Sequence, residues 1–148
     1  MTDDIYLGNP NLKRANTRIE FTQEQILEFM ACKQDPVYFA KKHVKIVTLD
    51  KGLMPFEPYD FQEGLINNFH ENRFNICKMP RQTGKSTTVI SYLLHYLLFN
   101  DSVNIGILAN KAATARELLG RLQTAYENVP KWMQQGVLSW NRVPFSLR

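Results

Sequence analysis

Two short apolar segments, each followed by a long amphipathic stretch, constrain the fold of this chain most strongly. Residues 74–79 (FNICKM) and 103–109 (VNIGILA) are strand-like, and the second is apolar enough for burial on both faces of a sheet. The apolar spacing that follows them predicts helices over residues 86–99 and 111–128. A strand–helix–strand–helix order implies a right-handed crossover. We therefore predict an α/β fold built on a parallel sheet with flanking helices.

A smaller helical region precedes this unit. Thr22 and Gln25 form a capping box at the start of a helix, and Asp35-Pro36 is typical of the start of a second one. The remaining predictions are an extended arm at 1–20, a strand at 44–49, a Pro-rich connection at 51–60 and a third helix at 61–70. We divide the chain into an N-terminal region of arm and helices, residues 1–50, and the α/β unit, residues 51–148.

Gly84-Lys85-Ser86 lies where the first predicted strand meets its helix, which is the setting of a phosphate-binding P-loop. Backbone N–H groups over residues 83–87 would point into one concavity at a helix N-terminus, where the macrodipole favours anions. Lys85 would bridge the β- and γ-phosphates of ATP, and the Ser86 hydroxyl would ligate Mg²⁺. The alternative is a plain loop with Lys85 in solvent.

The loop departs from the usual P-loop at its first position. Met79 stands where the first glycine is expected, and Pro80 can set the bend in its place. The loop then continues through Arg81, Gln82 and Thr83, which places a second cation four residues before the lysine. Such a cation would stabilise charge developing on the γ-phosphoryl group. The alternative for Arg81 is an exposed side chain or a structural ion pair.

Tyr59 and Gln62 precede the loop by one predicted strand. An aromatic ring and a carboxamide suit stacking and bidentate hydrogen bonding to an adenine edge. Taken alone, Gln62 is predicted to be an exposed residue on the surface of a helix. In combination with the loop, we predict that both residues contact the adenine of ATP.

These motifs together resemble a known family. Tyr59 and Gln62, then PRQTGKST with arginine inside the loop, then VNIGILANKAATARELLGRL are similar to the ATPase domain of the large terminase subunit of tailed bacteriophages. YLGNPNLKR, DPVYFAKKHVKIVTLDKGL and LQTAYENVPKWMQQGV strengthen the resemblance toward the large myophage type. The resemblance covers roughly residues 5–138.

The resemblance implies a fold, an activity and a set of site residues. The fold is a RecA/helicase-like P-loop NTPase, and the complete protein is an ATP-driven motor that translocates double-stranded DNA through the portal and carries a nuclease domain. The implied partners are ATP, Mg²⁺, double-stranded DNA, the portal protein and the small terminase subunit. The implied roles are adenine recognition at Gln62, action on the γ-phosphate at Arg81, and phosphate and metal binding at Gly84, Lys85, Ser86 and Thr87.

The chain also departs from the family. A motor of this kind needs a strand ending in Asp-Glu, but the acidic residues after Lys85 are Asp101, Glu117 and Glu127, none of which ends a credible strand. The coupling motif and the nuclease carboxylates are missing as well. We therefore predict an N-terminal fragment that binds ATP without steady hydrolysis. The patternless final residues, 139–148, suggest an interrupted reading frame.

Two alternatives stay open, the first an ATPase of the same broad fold and the second a non-enzymatic module. A superfamily 2 helicase-like ATPase fragment would also have a glutamine motif and a P-loop, although helicases usually keep the first glycine of the loop. A truncated interaction module would fold in part and bind a partner without chemistry, since half of a doubly wound core is a marginal unit.

Composition excludes several other classes. A net charge of +4 with 22% charged residues fits a folded protein and only weakly supports binding of nucleic acid. Cys32 and Cys77 lack metal-ligand spacing and read as reduced, buried or half-buried thiols. The N-terminus has no signal-peptide pattern, and the apolar run at 89–99 is too short to cross a bilayer. We expect the host cytoplasm as the location, with no membrane partner.

Overall fold

The computed structural model describes residues 4–48, 50–141 and 146–147 as a mixed α/β structure. Its five helices in these residues are α1 (Gln23–Gln34), α2 (Pro36–His43), α3 (Asp60–Glu71), α4 (Lys85–Phe99) and α5 (Ala112–Glu127). Its strands form three antiparallel pairs: β1 (Ile5–Tyr6) with β2 (Asn9–Lys13), β3 (Lys45–Thr48) with β4 (Gly52–Pro55), and β5 (Val137–Ser139) with β6 (Ser146–Leu147).

The predicted starts of α1 and α2 are confirmed by their hydrogen bonds. Thr22 Oγ1 accepts from the Gln25 N–H at 3.2 Å, and Gln25 Oε1 accepts from the Thr22 N–H at 3.1 Å. Asp35 Oδ1 accepts from the N–H groups of Val37 and Tyr38 at 2.8 and 2.9 Å. Because Asp35 ends α1 and caps α2, the two helices join through a single residue and pack at a tight corner.

The prediction of an extended arm at residues 1–20 is wrong over β1 and β2. These strands form a hairpin, and Leu12 is fully buried. Gln134, far along the chain, accepts from the Lys13 N–H at 3.0 Å and donates to the Asn11 carbonyl at 2.9 Å. The partner that orders this segment is therefore more than 100 residues away in sequence, which local patterns do not reveal.

A second hairpin replaces the predicted connection at 51–60. The predicted strand at 44–49 is observed as β3, and Gly52, the first residue of β4, follows the turn with a φ of +68°. The backbone N–H of Phe56 donates to the Val44 carbonyl at 2.9 Å and continues the pairing past the strand ends. Phe56 is buried, so the hairpin is attached to the core at its base.

Helix α4 is central to the core. It packs against α2, α3 and α5, and Leu94, Leu98 and Phe99 are buried along it. His95 lies on the same buried side, and its ring contacts those of Phe39 and Phe99, which also contact each other. Among the described helices, none has the length and apolar character needed to cross a bilayer.

Strands were predicted at residues 74–79 and 103–109, and the structure does not show them. Both segments lack regular secondary structure, and neither is paired with any described residue. Apolar side chains in them face solvent: Phe74 is 83% exposed and Leu108 is 93% exposed. Cys77 is exposed as well, whereas we expected it to be at least half-buried. A strand needs a hydrogen-bonded neighbour, and the described part of the chain supplies none here.

The C-terminal residues are described only in part. Val137 to Ser139 form β5, which pairs with β6. Residues 142–145 and 148 lie outside the described residues, so the predicted break in the pattern over 139–148 stays a prediction.

Amide hydrogen exchange should distinguish the two unpaired segments from the hairpin of β3 and β4. The N–H groups of residues 74–79 and 103–109 have no protein acceptor among the described residues, so we expect them to exchange nearly as fast as in an unfolded chain. The paired N–H groups of the hairpin serve as the internal control and should exchange at least tenfold more slowly. Equal protection in the segments and the hairpin, measured by mass spectrometry on peptic fragments, would contradict the unpaired state.

His95 should make the folded state less stable in mild acid. Burial lowers the pKa of His95 from 6.5 to about 4, so the unfolded chain binds a proton that the folded chain excludes between these pH values. The free energy of unfolding should therefore fall as pH drops from about 6.5 to about 4, by up to about 3 kcal/mol. Urea titrations across this range should show a shallower dependence in His95→Gln. An unchanged slope in folded His95→Gln would contradict the assignment.

Candidate functional site

The loop at residues 80–84 ends at the N-terminus of α4, as predicted. Gly84 is the N-cap residue and has a left-handed backbone, with φ +75° and ψ 14°. A Cβ atom at this position would lie 2.5 Å from Nε2 of Gln62. The positive φ favours glycine at position 84, and the close approach brings the end of the Gln62 side chain of α3 against the loop.

Lys85 folds back across the loop. Its ammonium donates to the Pro80 carbonyl at 2.7 Å and to the Met79 carbonyl at 3.3 Å. The Thr83 hydroxyl donates to the same Pro80 carbonyl at 3.1 Å. The loop is therefore curled, with a positive charge held over its own carbonyl groups.

The first backbone N–H groups of α4 are free to bind a ligand. The first helical hydrogen bond runs from the Thr88 N–H to the Gly84 carbonyl at 3.0 Å, and the Thr88 hydroxyl donates to the same carbonyl at 3.0 Å. Within the described residues, the N–H groups from Gly84 to Thr87 have no acceptor. Unpaired N–H groups at a helix N-terminus, where the macrodipole is positive, form an anion site.

The other predicted loop residues differ in what they face. Arg81 is exposed and forms no hydrogen bond or ion pair with the described residues, so the alternative of a structural ion pair finds no partner there. Gln82 is exposed with φ +61°, and the exposed Ser86 hydroxyl has no described partner. Thr87 lines a groove of about 680 Å³, most of whose other lining residues come from β3, α4 and α5.

Gln62 is buried, so the alternative that it is a surface helix residue is wrong. It is 3% exposed, and its Oε1 accepts from the Tyr59 N–H at 2.9 Å across the start of α3. Tyr59 is 70% exposed and stacks on Phe61, with ring centroids 5.8 Å apart. The structure thus brings Gln62 to the loop, but with its carbonyl oxygen in use, so a bidentate adenine contact requires its carboxamide to turn.

Charge around the loop favours anions. The chain has no acidic residue between Glu71 and Asp101, whereas this interval contains Arg73, Lys78, Arg81 and Lys85. The charge around the loop therefore favours an anionic ligand. For Mg²⁺ the fit is partial, because Ser86 offers one hydroxyl and the remaining ligands would come from phosphate and water.

No protein-family model matches the chain.

Replacing Gly84 should damage the loop more than replacing another glycine nearby. Gly84→Ala places a methyl group against the Gln62 carboxamide at a positive φ, and we expect a loss of about 1–3 kcal/mol in the free energy of unfolding. Gly64→Ala is the matched control, because a Cβ on this α3 residue meets nothing within 4 Å. It should be neutral or stabilise by about 0.5–1 kcal/mol. Denaturant titration compares them, and equal effects would contradict the special role of Gly84.

Proposed function

We propose that this chain binds ATP through the loop at residues 80–86 and is the ATP-binding part of a viral DNA-packaging terminase large subunit. The observation that supports this most directly is the combination of free N–H groups from Gly84 to Thr87 with the Lys85 ammonium over the loop. A helix N-terminus alone attracts anions in general. A lysine at its first position, with glycine before it and serine after it, favours a nucleotide phosphate chain.

Binding would require only small movements. The Lys85 ammonium already lies over the loop, so the β- and γ-phosphate oxygens replace the Pro80 and Met79 carbonyl groups as its acceptors. The N–H groups of α4 gain acceptors that they lack in the described residues. Arg81 has no competing ion pair there and is free to turn toward the γ-phosphate.

Hydrolysis requires more than this loop provides. A Mg²⁺ ion held by Ser86 and the phosphates would neutralise charge, but an attacking water also needs a group to orient it. No carboxylate is hydrogen-bonded or ion-paired to the loop within the described residues. We therefore expect nucleotide binding without steady turnover by this chain.

We propose in addition that the fold includes a parallel sheet. Residues 74–79 and 103–109 would be strands of a parallel sheet that needs further strands beside them, as expected of a P-loop ATPase. Their exposed apolar side chains, Phe74, Ile76 and Leu108, support this, because an unpaired strand-like segment with an apolar face is poorly stable in water. Double-stranded DNA, the portal protein and the small terminase subunit would be binding partners of the complete protein.

A fluorescent ATP analogue tests the binding step. In the presence of Mg²⁺, we expect saturable binding by the wild-type chain and at least a tenfold loss of affinity in Lys85→Ala, because a charge-assisted bond to phosphate contributes about 1.5–3 kcal/mol. Lys51→Ala, in the exposed turn between β3 and β4, is the matched control and should bind as the wild type does.

The outcomes separate the candidate functions. Equal affinity in Lys85→Ala and the wild type would remove the loop as the binding site. No binding by a folded wild-type chain would favour the alternative of an interaction module, which the exposed Phe74, Ile76 and Leu108 also fit. Steady phosphate release by the purified chain, abolished in Lys85→Ala, would contradict the absence of turnover.

A further inference from the structure

A cluster of three potential metal ligands lies where α1 and α2 meet, away from the loop. Glu28 and Cys32 are one turn apart on α1, so their side chains project from the same face. The chain reverses at Asp35, and His43 is the last residue of α2. The tight corner between the helices therefore brings His43 back to the Glu28 face of α1.

The ligand atoms are close together. His43 Nε2 lies 2.8 Å from Glu28 Oε1, and Cys32 Sγ lies 3.5 Å from the same oxygen. All three ligand atoms lie within 4.8 Å of one another. In a tetrahedral zinc site, bonds of about 2.0 Å to nitrogen or oxygen and about 2.3 Å to sulfur place the ligand atoms about 3.3–3.5 Å apart. Small side-chain rotations therefore suffice to reach that geometry.

The two oxygens of Glu28 face different groups. Oε1 faces Cys32 and His43, whereas Oε2 accepts from Tyr38 at 3.1 Å and from Lys42 at 2.7 Å. A carboxylate that binds a metal through one oxygen commonly has its other oxygen held by hydrogen bonds from outer groups. Glu28 already has such outer partners.

The surrounding structure holds the other two residues as well. The His43 ring lies between Phe39 and Trp132, with centroid distances of 6.0 and 6.3 Å. The Cys32 carbonyl accepts from His95 at 2.9 Å, which fixes this turn of α1 against α4. The ligand positions therefore do not depend on a mobile loop.

We propose that Glu28, Cys32 and His43 form a binding site for Zn²⁺, with water as the fourth ligand. One oxygen, one sulfur and one imidazole nitrogen are the donor types that zinc accepts, and the thiolate disfavours Mg²⁺ and Ca²⁺. The Glu28 and His43 side chains are 19% and 10% exposed, which leaves the metal a route from solvent although Cys32 is fully buried.

Binding of Zn²⁺ changes the protonation of the ligand side chains. Burial and the nearby Glu28 charge raise the pKa of the Cys32 thiol to about 12, so the metal-free residue is a thiol. Although burial opposes it, hydrogen bonds from Lys42, His43 and Tyr38 lower the pKa of Glu28 to about 2, so the carboxylate is ionised. Zn²⁺ displaces the Cys32 thiol proton to solvent and binds the resulting thiolate. His43 Nε2, which donates to Glu28 in the metal-free site, also gives up its proton, to solvent or to Nδ1, so that its lone pair can bind the metal. No electron transfer is involved.

Cobalt titration of the tag-free, reduced chain tests the site. Co²⁺ occupies zinc sites and gives a near-ultraviolet charge-transfer absorption when a thiolate binds it. We expect this absorption to saturate at one equivalent of Co²⁺ and to disappear when Zn²⁺ is added. Cys32→Ser should lose the absorption, and His43→Gln should bind Co²⁺ at least tenfold more weakly.

The second cysteine provides the matched control. Cys77 is exposed and far along the chain, so Cys77→Ser should titrate as the wild type does. Circular dichroism shows whether each variant is folded. If Cys32→Ser fails to fold, the Cys77→Ser variant still tests the proposal. A folded Cys77→Ser variant without charge-transfer absorption would overturn the zinc site. Absorption that persists in a folded Cys32→Ser variant would also overturn it. The test does not involve nucleotide, so it stands apart from the proposed ATP site.

Discussion

A buried hydrogen bond from His95 to the Cys32 carbonyl connects the two regions on which this structure depends. At 2.9 Å it joins the centre of α4 to the last turn of α1, where a free carbonyl would otherwise be buried without a partner. The bond requires the proton on Nε2, and Nδ1 is left buried without a partner among the described atoms. Burial that lowers the pKa of His95 to about 4 keeps this ring neutral at neutral pH.

Helix α4 places the candidate loop and the buried histidine on one rigid element. Ten residues separate Lys85 from His95, which is about 15 Å along an α-helix. The apolar face of α4 docks it in the core, so the N-terminal N–H groups are held in place without help from the loop. Gln62, pressed against Gly84, completes this support from α3. The loop's anion-binding geometry is thus a consequence of core packing as much as of its own sequence.

The sequence predicted the helices well because their signals are local. Capping residues Thr22 and Asp35 and the 3.6-residue spacing of apolar side chains define helices within a few residues of the observed bounds. The end of the loop at Gly84 and the start of α4 were also predictable, whereas the strand predicted before the loop was not observed. The parallel sheet was not observed, because strand pairing depends on distant partners that no local pattern specifies.

The sequence by itself determined the helical segments and the run of basic residues, without an acidic one, between Glu71 and Asp101. Only the tertiary structure decided that Gln62 is buried against Gly84, that Lys85 lies over the loop carbonyls, and that His43 meets Glu28 and Cys32 at one corner. The physical reason is range. Helix formation and capping act over about four residues, whereas side-chain clusters depend on how packed helices cross, which burial of the whole core selects.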